Sequence, residues 1–235
     1  PWVKTSLAPG SQVQYLSPPE RICMDVLDMF RLDGRCAIVT GGSRGIGKQI
    51  ALGLAQAGAT VLIAGRTEST LDESAQYITK HTGRQCLKVS ADVTKPDDVT
   101  SLFETAFSHM GSVDILVNNA GMQIRHRVEN FPLDDWRAVI DGNLTSAFLC
   151  TRTVLSSMIE RKYGRIINLG SVMGIGSSEE RSAYCAAKAA VHHFTRATAV
   201  EVAQHGVTVN AIAPGPVITE SNRDAFNDPE IRVFL

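Results

Sequence analysis

Thr40-Gly41-Gly42-Ser43-Arg44-Gly45-Ile46-Gly47 follows the apolar run Cys36-Ala37-Ile38-Val39 and opens a segment whose helical periodicity runs through Ile50 and Leu54. That order is strand, glycine turn, helix. Such a turn leaves backbone N–H groups and the positive end of the helix facing one point, where an anion such as a pyrophosphate can sit. Glycine serves there because a Cβ would block the approach. The spacing Gly41-x-x-x-Gly45-x-Gly47 differs from the commoner G-x-G-x-x-G. Alone, the octapeptide also fits an ordinary strand-to-helix turn, and it gains meaning from its neighbours.

From Arg35 onward the pattern alternates strand and helix, which argues a parallel sheet covered on both faces. Thr60-Val61-Leu62-Ile63-Ala64 reads as the second strand, after Gly58 ends the first helix. Leu71, Ala75 and Ile78 mark a helix closed by Gly83, and Cys86-Leu87-Lys88-Val89 is the third strand. Pro96 then opens a helix with the stripe Val99, Leu102, Phe103, Ala106 and Phe107. Asp114-Ile115-Leu116-Val117 is the fourth strand, and the periodicity predicts one long helix over 133–161. Arg165-Ile166-Ile167-Asn168-Leu169 is the fifth strand, a helix covers 182–203, and Val207-Thr208-Val209-Asn210-Ala211-Ile212 is the sixth. Right-handed crossovers give an α/β fold: a doubly wound, Rossmann-type parallel sheet of order 3-2-1-4-5-6 in three α/β/α layers. Ligands of such sheets bind at the carboxyl ends of the strands, where Gly41, Asn118, Ser171 and Pro214 fall.

The 235 residues suit one domain over 31–235, preceded by an arm over 1–30 that Pro1, Pro9, Gly10, Pro18 and Pro19 break and leave loosely ordered. Lys and Arg number 23 against 24 Asp and Glu, well interspersed, so no nucleic-acid footprint is visible and a small-molecule partner is favoured. No stretch is long enough to span a bilayer. Residues 22–30 carry Asp25 and Asp28, which argues against a secretory signal. Cys23, Cys36, Cys86, Cys150 and Cys185 show neither close pairing nor metal-ligand spacing. That pattern fits a reducing compartment, the cytoplasm with an organelle left open, and no metal site is expected.

The chemical signal is strongest at Ser171 and in Tyr184-Cys185-Ala186-Ala187-Lys188. Tyr184 and Lys188 share a helix face, so the ammonium can reach toward the phenol. A phenol of pKa near 10 is a poor proton shuttle at neutral pH, and lowering it by ~3 units takes ~4 kcal/mol. One cation at about 4 Å with an effective dielectric near 20 supplies about that much. Ser171, ending the fifth strand, can bond the same substrate oxygen. Taken alone, Tyr-x-x-x-Lys occurs on many solvated helix faces.

Residues 40–47, Asp92, Asn118-Asn119-Ala120-Gly121, Asn143, Ser171, Tyr184 with Lys188, and Pro214-Gly215-Pro216-Val217-Ile218-Thr219 stand in order. On these pieces the chain resembles the short-chain dehydrogenase/reductase family over 35–219. The resemblance implies an oxidoreductase that interconverts a ketone and a secondary alcohol with a nicotinamide cofactor, which supplies the hydride. It makes Tyr184 the proton donor or acceptor and gives Lys188 the lowering of its pKa and the nicotinamide ribose. Ser171 orients the carbonyl and stabilises its growing charge, and Asn143 holds a water that relays protons to Lys188. Gly41, Ser43, Arg44, Gly45, Ile46 and Gly47 cradle the cofactor. Asp92 and Val93 sit at the adenine, and Asn118, Asn119, Ala120 and Gly121 pass beside the adenosine ribose. Pro214 and Gly215 bind the cofactor too, on the loop where Val217 and Thr219 meet the carboxamide. Asn143 also reads as a helix-interior asparagine bonding its own backbone, and Thr219 as the cap of a helix near Glu220.

Within the family, 118–125 and 143–149 look most like gluconate 5-dehydrogenases and related sugar-acid keto reductases, which implies a substrate such as 5-ketogluconate and sets Arg125 on its carboxylate. Arginine suits that task because its planar fork meets both oxygens; Arg125-His126-Arg127 equally reads as a solvated loop. An NAD enzyme of this fold places an acid after the second strand, whereas Ala64-Gly65-Arg66 has none and Arg44 precedes Gly45. NADP is therefore expected, with Arg44 and Arg66 on its 2′-phosphate; alternatively Arg66 caps the sheet surface and Arg44 is solvated. His192 and His193 lie beyond the reactive end of the Tyr184 helix and read as packed or exposed. The resemblance also implies a homodimer or homotetramer joined through the two long helices. Family members run on into a substrate lid and a seventh strand, so a chain stopping at Leu235 reads as truncated there and short of that strand. Two other readings stay open, a 3-oxoacyl carrier-protein reductase with the same catalytic set and a truncated nucleotide-binding protein without catalysis.

Overall fold

The structure, a computed structural model, describes residues 25–220. The chain divides into two compact units, Pro1–Arg31 and Leu32–Leu235. The described part of the first is a 3-10 turn, Val26–Phe30, capped by the Asp25 carboxylate, which accepts from the Leu27 N–H at 3.1 Å. The rest of the expected arm, Cys23 included, lies outside the described residues, as do residues 221–235, on which the expectation about the chain's end falls.

The second unit is organised on strands β1 (Cys36–Thr40), β2 (Thr60–Gly65), β3 (Cys86–Ser90), β4 (Ile115–Asn118), β5 (Gly164–Leu169) and β6 (Val207–Ile212). All their pairings are parallel, in the expected doubly wound order β3-β2-β1-β4-β5-β6. The central strand β1 is buried along its whole length, and its side chains alternate between two cores. Ile38 joins Leu62, Leu116 and Ile166 under helices α3 (Pro96–Met110) and α5 (Ser146–Glu160). Ala37 and Val39 join Val61, Ile63 and Val117 under α1 (Gly45–Gln56) and α2 (Glu68–Thr82). A strand covered on both faces must be apolar at every position, which is why β1 reads as a continuous run. Fully burying each Ile, Leu or Val contributes about 1.5–3 kcal/mol.

The periodicity predicts one helix over 133–161; the structure divides it into α4 (Leu133–Ile140), a π-helical turn over Asp141–Thr145 and α5. A π turn inserts one residue into the ladder and is common at functional sites. Asn143 sits inside it, and its Nδ2 donates to Val139 O at 2.8 Å and to Met122 O at 2.7 Å. One amide thus bonds its own helix and ties that helix to the loop after β4. Helix α6 (Ser182–Val202) follows β5 and packs Ala183 and Ala187 against Val139 of α4. The carboxyl ends of the six strands thereby gather Gly41, Arg66, Asp92, Asn119, Ser171 and Pro214 at one edge of the sheet.

Candidate active site

At the end of β1 the backbone turns sharply. Gly41 adopts φ +63°, and a Cβ there would stand 2.9 Å from Asn119 Nδ2 and 3.0 Å from Ala120 Cα. A Cβ on Gly47 would run into the Gly41 carbonyl. The turn is held from beside it: Asn119 Nδ2 donates to Thr40 O at 2.9 Å and Gly41 O at 3.0 Å, while Thr40 Oγ1 accepts from the Asn119 and Ala120 N–H groups, each at 3.1 Å. Helix α1 starts at Gly45 after Arg44, which makes no side-chain cap. The first N–H groups of α1 are therefore left to meet an anion, with the helix dipole behind them.

This turn floors a cavity of ≈ 640 Å³. Ser43, Arg44, Gly45, Ile46 and Gly47 line it with Gly41; Arg66, Asp92, Val93, Asn119, Ala120 and Gly121 line it beyond; and Arg125, Ser171, Tyr184, Gly215, Val217 and Thr219 complete the set. An adjoining cavity of ≈ 310 Å³ shares Ser171 and Tyr184 and reaches Asn143, Lys188 and Pro214. Of the residues the sequence assigns to the site, Asn118 alone lines neither cavity. Its side chain is buried, and Nδ2 donates to Asn168 Oδ1 at 2.8 Å and Thr151 Oγ1 at 3.0 Å. The Asn118 side chain thus ties β4 to β5 and α5 and does not line the cavity, unlike its three successors.

Gly65 ends β2 where an acid would reach the ribose, and its ideal Cβ position lies 3.3 Å from Ser43 Oγ. Asp92 Oδ1 is taken up by Thr94, accepting from its N–H at 3.1 Å and its hydroxyl at 2.8 Å. Burial works against the Asp92 charge, but these Thr94 bonds and the Arg66 and Lys95 charges hold its pKa below the ordinary carboxylate value.

At the other end, Ser171 and Tyr184 meet. Ser171 Oγ accepts from the Met173 N–H at 3.1 Å, which leaves the hydroxyl proton available to a neighbour. Lys188 is buried, and its Nζ donates to Leu169 O at 2.6 Å while lying 5.6 Å from the Tyr184 ring centroid. Asn143 Oδ1 is buried without a protein partner among the described residues, and it faces Gly121, where a Cβ would stand 2.7 Å from it and 3.6 Å from Lys188 Nζ. The amide thus bonds its own backbone, as one reading of the sequence has it, and also turns an unspent acceptor toward Lys188.

The electrostatics correct one expectation. The Tyr184 phenol is pushed above its usual pKa, because burial outweighs the lowering pulls of the Ser171 hydrogen bond and the Arg181 charge. Lys188 exerts no resolved pull on the phenol, and burial pushes its own ammonium down to about 8. The spacing of Tyr184 and Lys188 puts them on one face, but desolvation decides the sign and spacing is blind to it.

Two residues are absent from the sequence reading as actors. Arg181, at the start of α6, lines the cavity with Arg125. Burial first and the Arg125 charge next weaken its hold on its proton. The only hint in the sequence is a basic residue one helical turn before Tyr184. His192, expected to be packed or exposed, bonds the backbone of Ser171: its Nε2 accepts from the Ser171 N–H at 3.3 Å. Among the described residues no group of three or more His, Cys, Asp or Glu is placed to hold a metal ion, and no helix is long and apolar enough to cross a membrane.

Residues 35–230 match the family model described as short chain dehydrogenase. Among similar proteins, a 3-oxoacyl-[acyl-carrier-protein] reductase of Synechocystis sp. is 41% identical over 201 residues, 86% of this chain and 81% of the relative. A D-beta-hydroxybutyrate dehydrogenase of Cupriavidus necator is 43% identical over 188 residues, 80% of this chain and 72% of the relative. A crystal structure assigned as a gluconate dehydrogenase, from Agrobacterium tumefaciens, superposes with a TM-score of 0.83 at 40% identity, covering 87% of this chain and 81% of that one.

Proposed function

The chain belongs to the short-chain dehydrogenase family, and from that premise we propose that it interconverts a carboxylate-bearing ketone, such as an oxo sugar acid, and the matching secondary alcohol with NADP(H). The observation that carries the substrate class is the state of three basic residues in one loop. His126 pairs with Asp135 at 2.9 Å and Arg127 with Glu129 at 3.0 Å, whereas the Arg125 guanidinium has no partner among the described residues. Arg125 instead faces the cavity together with Arg181, which also lacks one. The two loops are fastened side by side by a bond from the His126 N–H to Glu180 O at 3.1 Å, with Glu180 held at φ +60°. A non-glycine residue in that region carries strain. Arg181 also stands at the positive end of α6, where a cation is unfavourable. Two unpaired guanidiniums, one partly desolvated, suit a carboxylate that meets both.

The cofactor-facing residues fit a nicotinamide dinucleotide: the cradle between Gly41, Gly47 and Asn119 admits backbone approach and nothing bulkier, and the start of α1 is open to a pyrophosphate. Arg44 and Arg66 face the end where β2 stops at glycine, which favours a 2′-phosphate and hence NADP. When bound, the cofactor gives or takes the hydride. The protein then handles the proton. A buried phenol held above its usual pKa stays protonated at neutral pH, the form that donates to a carbonyl oxygen as it gains charge. Ser171 steadies the same oxygen through its hydroxyl proton. Lys188 and Asn143 Oδ1 lie behind, one a donor and one an acceptor, so that a proton given up by Tyr184 can be restored from that side.

The acyl-thioester reading draws its support from the Synechocystis relative, and one experiment addresses both. Arg125→Ala and Arg181→Ala should each raise KM for an oxo acid about 10-fold or more, since one charge-assisted bond is worth about 1.5–3 kcal/mol. KM for the neutral amide of the same ketone should move little. Equal losses on acid and amide, or faster turnover of acetoacetyl thioesters than of any oxo acid, would reject the carboxylate assignment.

A further inference from the structure

Tyr184, Lys188 and His192 follow one another at intervals of four along α6, so one stripe of that helix faces the end of β5. The stripe makes two bonds to backbone there. Lys188 Nζ donates to Leu169 O at 2.6 Å, and His192 Nε2 accepts from the Ser171 N–H at 3.3 Å. One donor and one acceptor thus hold the peptide units on either side of Gly170. The fit around the imidazole is close: a Cβ on Gly170 would run into Nε2, and one on Gly174 would come within 2.7 Å of Cε1. Ser171 is itself buried. The other bonds of this segment are made by its neighbours, Gly170 N–H to Ile212 O at 2.8 Å and Val172 N–H to Pro214 O at 3.1 Å. The N–H of Ser171 depends on His192.

We propose that His192 is a positioning residue for Ser171: its neutral imidazole, with Nε2 unprotonated, fixes the Ser171 backbone and so aims the hydroxyl at the oxygen that Tyr184 protonates. The assignment is independent of which ketone is reduced. It needs the proton on Nδ1, because an Nε2–H would set a donor against the Ser171 N–H. The surroundings favour the neutral ring. Burial first, then the Arg196 and Lys188 charges, push its pKa below the usual 6.5. Those two cations and the Tyr184 phenol are the ionisable groups on this stripe of α6, and Gly170-Ser171-Val172-Met173-Gly174 brings none from the facing side. A folded pKa below the unfolded one means the bond is intact above about 6.5 and is lost as the pH falls through the lower folded value.

Two substitutions separate positioning from packing. His192→Leu fills the space without an acceptor, and His192→Gln keeps an acceptor that does not titrate. His192→Leu should lower kcat about 10-fold with KM for the nicotinamide cofactor unchanged, because a buried N–H loses its partner. His192→Gln should recover most of that loss. It should also lack the fall in kcat that the unsubstituted protein is expected to undergo below pH 6.5. A readout that needs no substrate is the Ser171 backbone amide resonance, which should shift with the His192 titration. Equal kcat in the Leu and Gln variants, an acid fall that persists in the Gln variant, or a Ser171 amide indifferent to the imidazole would each overturn the assignment. If His192→Leu does not fold, the Gln variant and the amide titration decide it.

Discussion

At the end of β1 the cavity is walled by backbone. Gly41 at φ +63° and the uncapped N–H groups of α1 present amides, and the side chains of Thr40 and Asn119 serve to brace that turn. At the end of β5 the cavity is walled by side chains that carry or share protons: Ser171, Tyr184, Arg181 and, behind them, Lys188 with Asn143. On the proposed reading the first region meets its ligand with fixed dipoles and titrates little. The second holds an ammonium lowered to about 8 and a phenol raised above its usual pKa, each displaced mainly by burial. The proposed function thus separates binding and chemistry in space, and predicts that each can be broken alone.

The largest expected effect removes the proposed proton donor. Tyr184→Phe deletes one oxygen at the reacting end, so kcat should fall about 10³-fold, within the span usual for general acid catalysis. The dissociation constant for NADPH, read by fluorescence titration, should stay within about twofold, because the glycine turn is untouched. Loss of binding in step with turnover would deny the separation.

Next comes the pH dependence of the reacting end. Lys188 is a cationic acid whose pKa is lowered, so its charge is complete below about 8 and disappears above it. Ketone reduction should therefore hold level between about 6.5, below which His192 titrates, and about 8, and fall by up to about 10-fold per pH unit above that, while NADPH affinity stays flat across the upper limb. A rate level through pH 10 would show that the ammonium is not needed.

The smallest effect sharpens the other end. Arg66→Ala should cut the preference for NADPH over NADH by about 10-fold, the equivalent of 1.4 kcal/mol, and leave turnover with saturating cofactor nearly as it was. An unchanged preference would return Arg66 to the role of a surface residue.

The same contrast explains what could be read from the chain. The backbone-built region is contiguous: a fully buried strand must be apolar throughout, the turn must be glycine, and both lie within residues 36–47. The strand order is legible for the same reason, since short strand-forming runs alternate with helical stripes along the chain. The reacting region is assembled from distant pieces. Arg125 and Arg181 become neighbours through the bond between His126 and Glu180, and nothing local announces it. His192 reads as packing because its partner is a backbone amide on another element. The π turn escapes periodicity because the apolar spacing runs through it unbroken, from Ile140 just before the turn to Leu144 within it. Asn118 misleads in the opposite sense: it belongs to the motif Asn118-Asn119-Ala120-Gly121, yet only its three successors line the cavity while its own side chain turns inward.

The central claim is that the backbone-built end takes NADPH and the side-chain-built end turns over a ketone bearing a carboxylate. The most direct test follows NADPH oxidation by the purified protein with an oxo sugar acid and with its neutral amide, repeating both with NADH. The account predicts the highest kcat/KM for the acid with NADPH, at least about 10-fold above either the amide with NADPH or the acid with NADH. Equal efficiency on acid and amide, or equal or better efficiency with NADH, would contradict it.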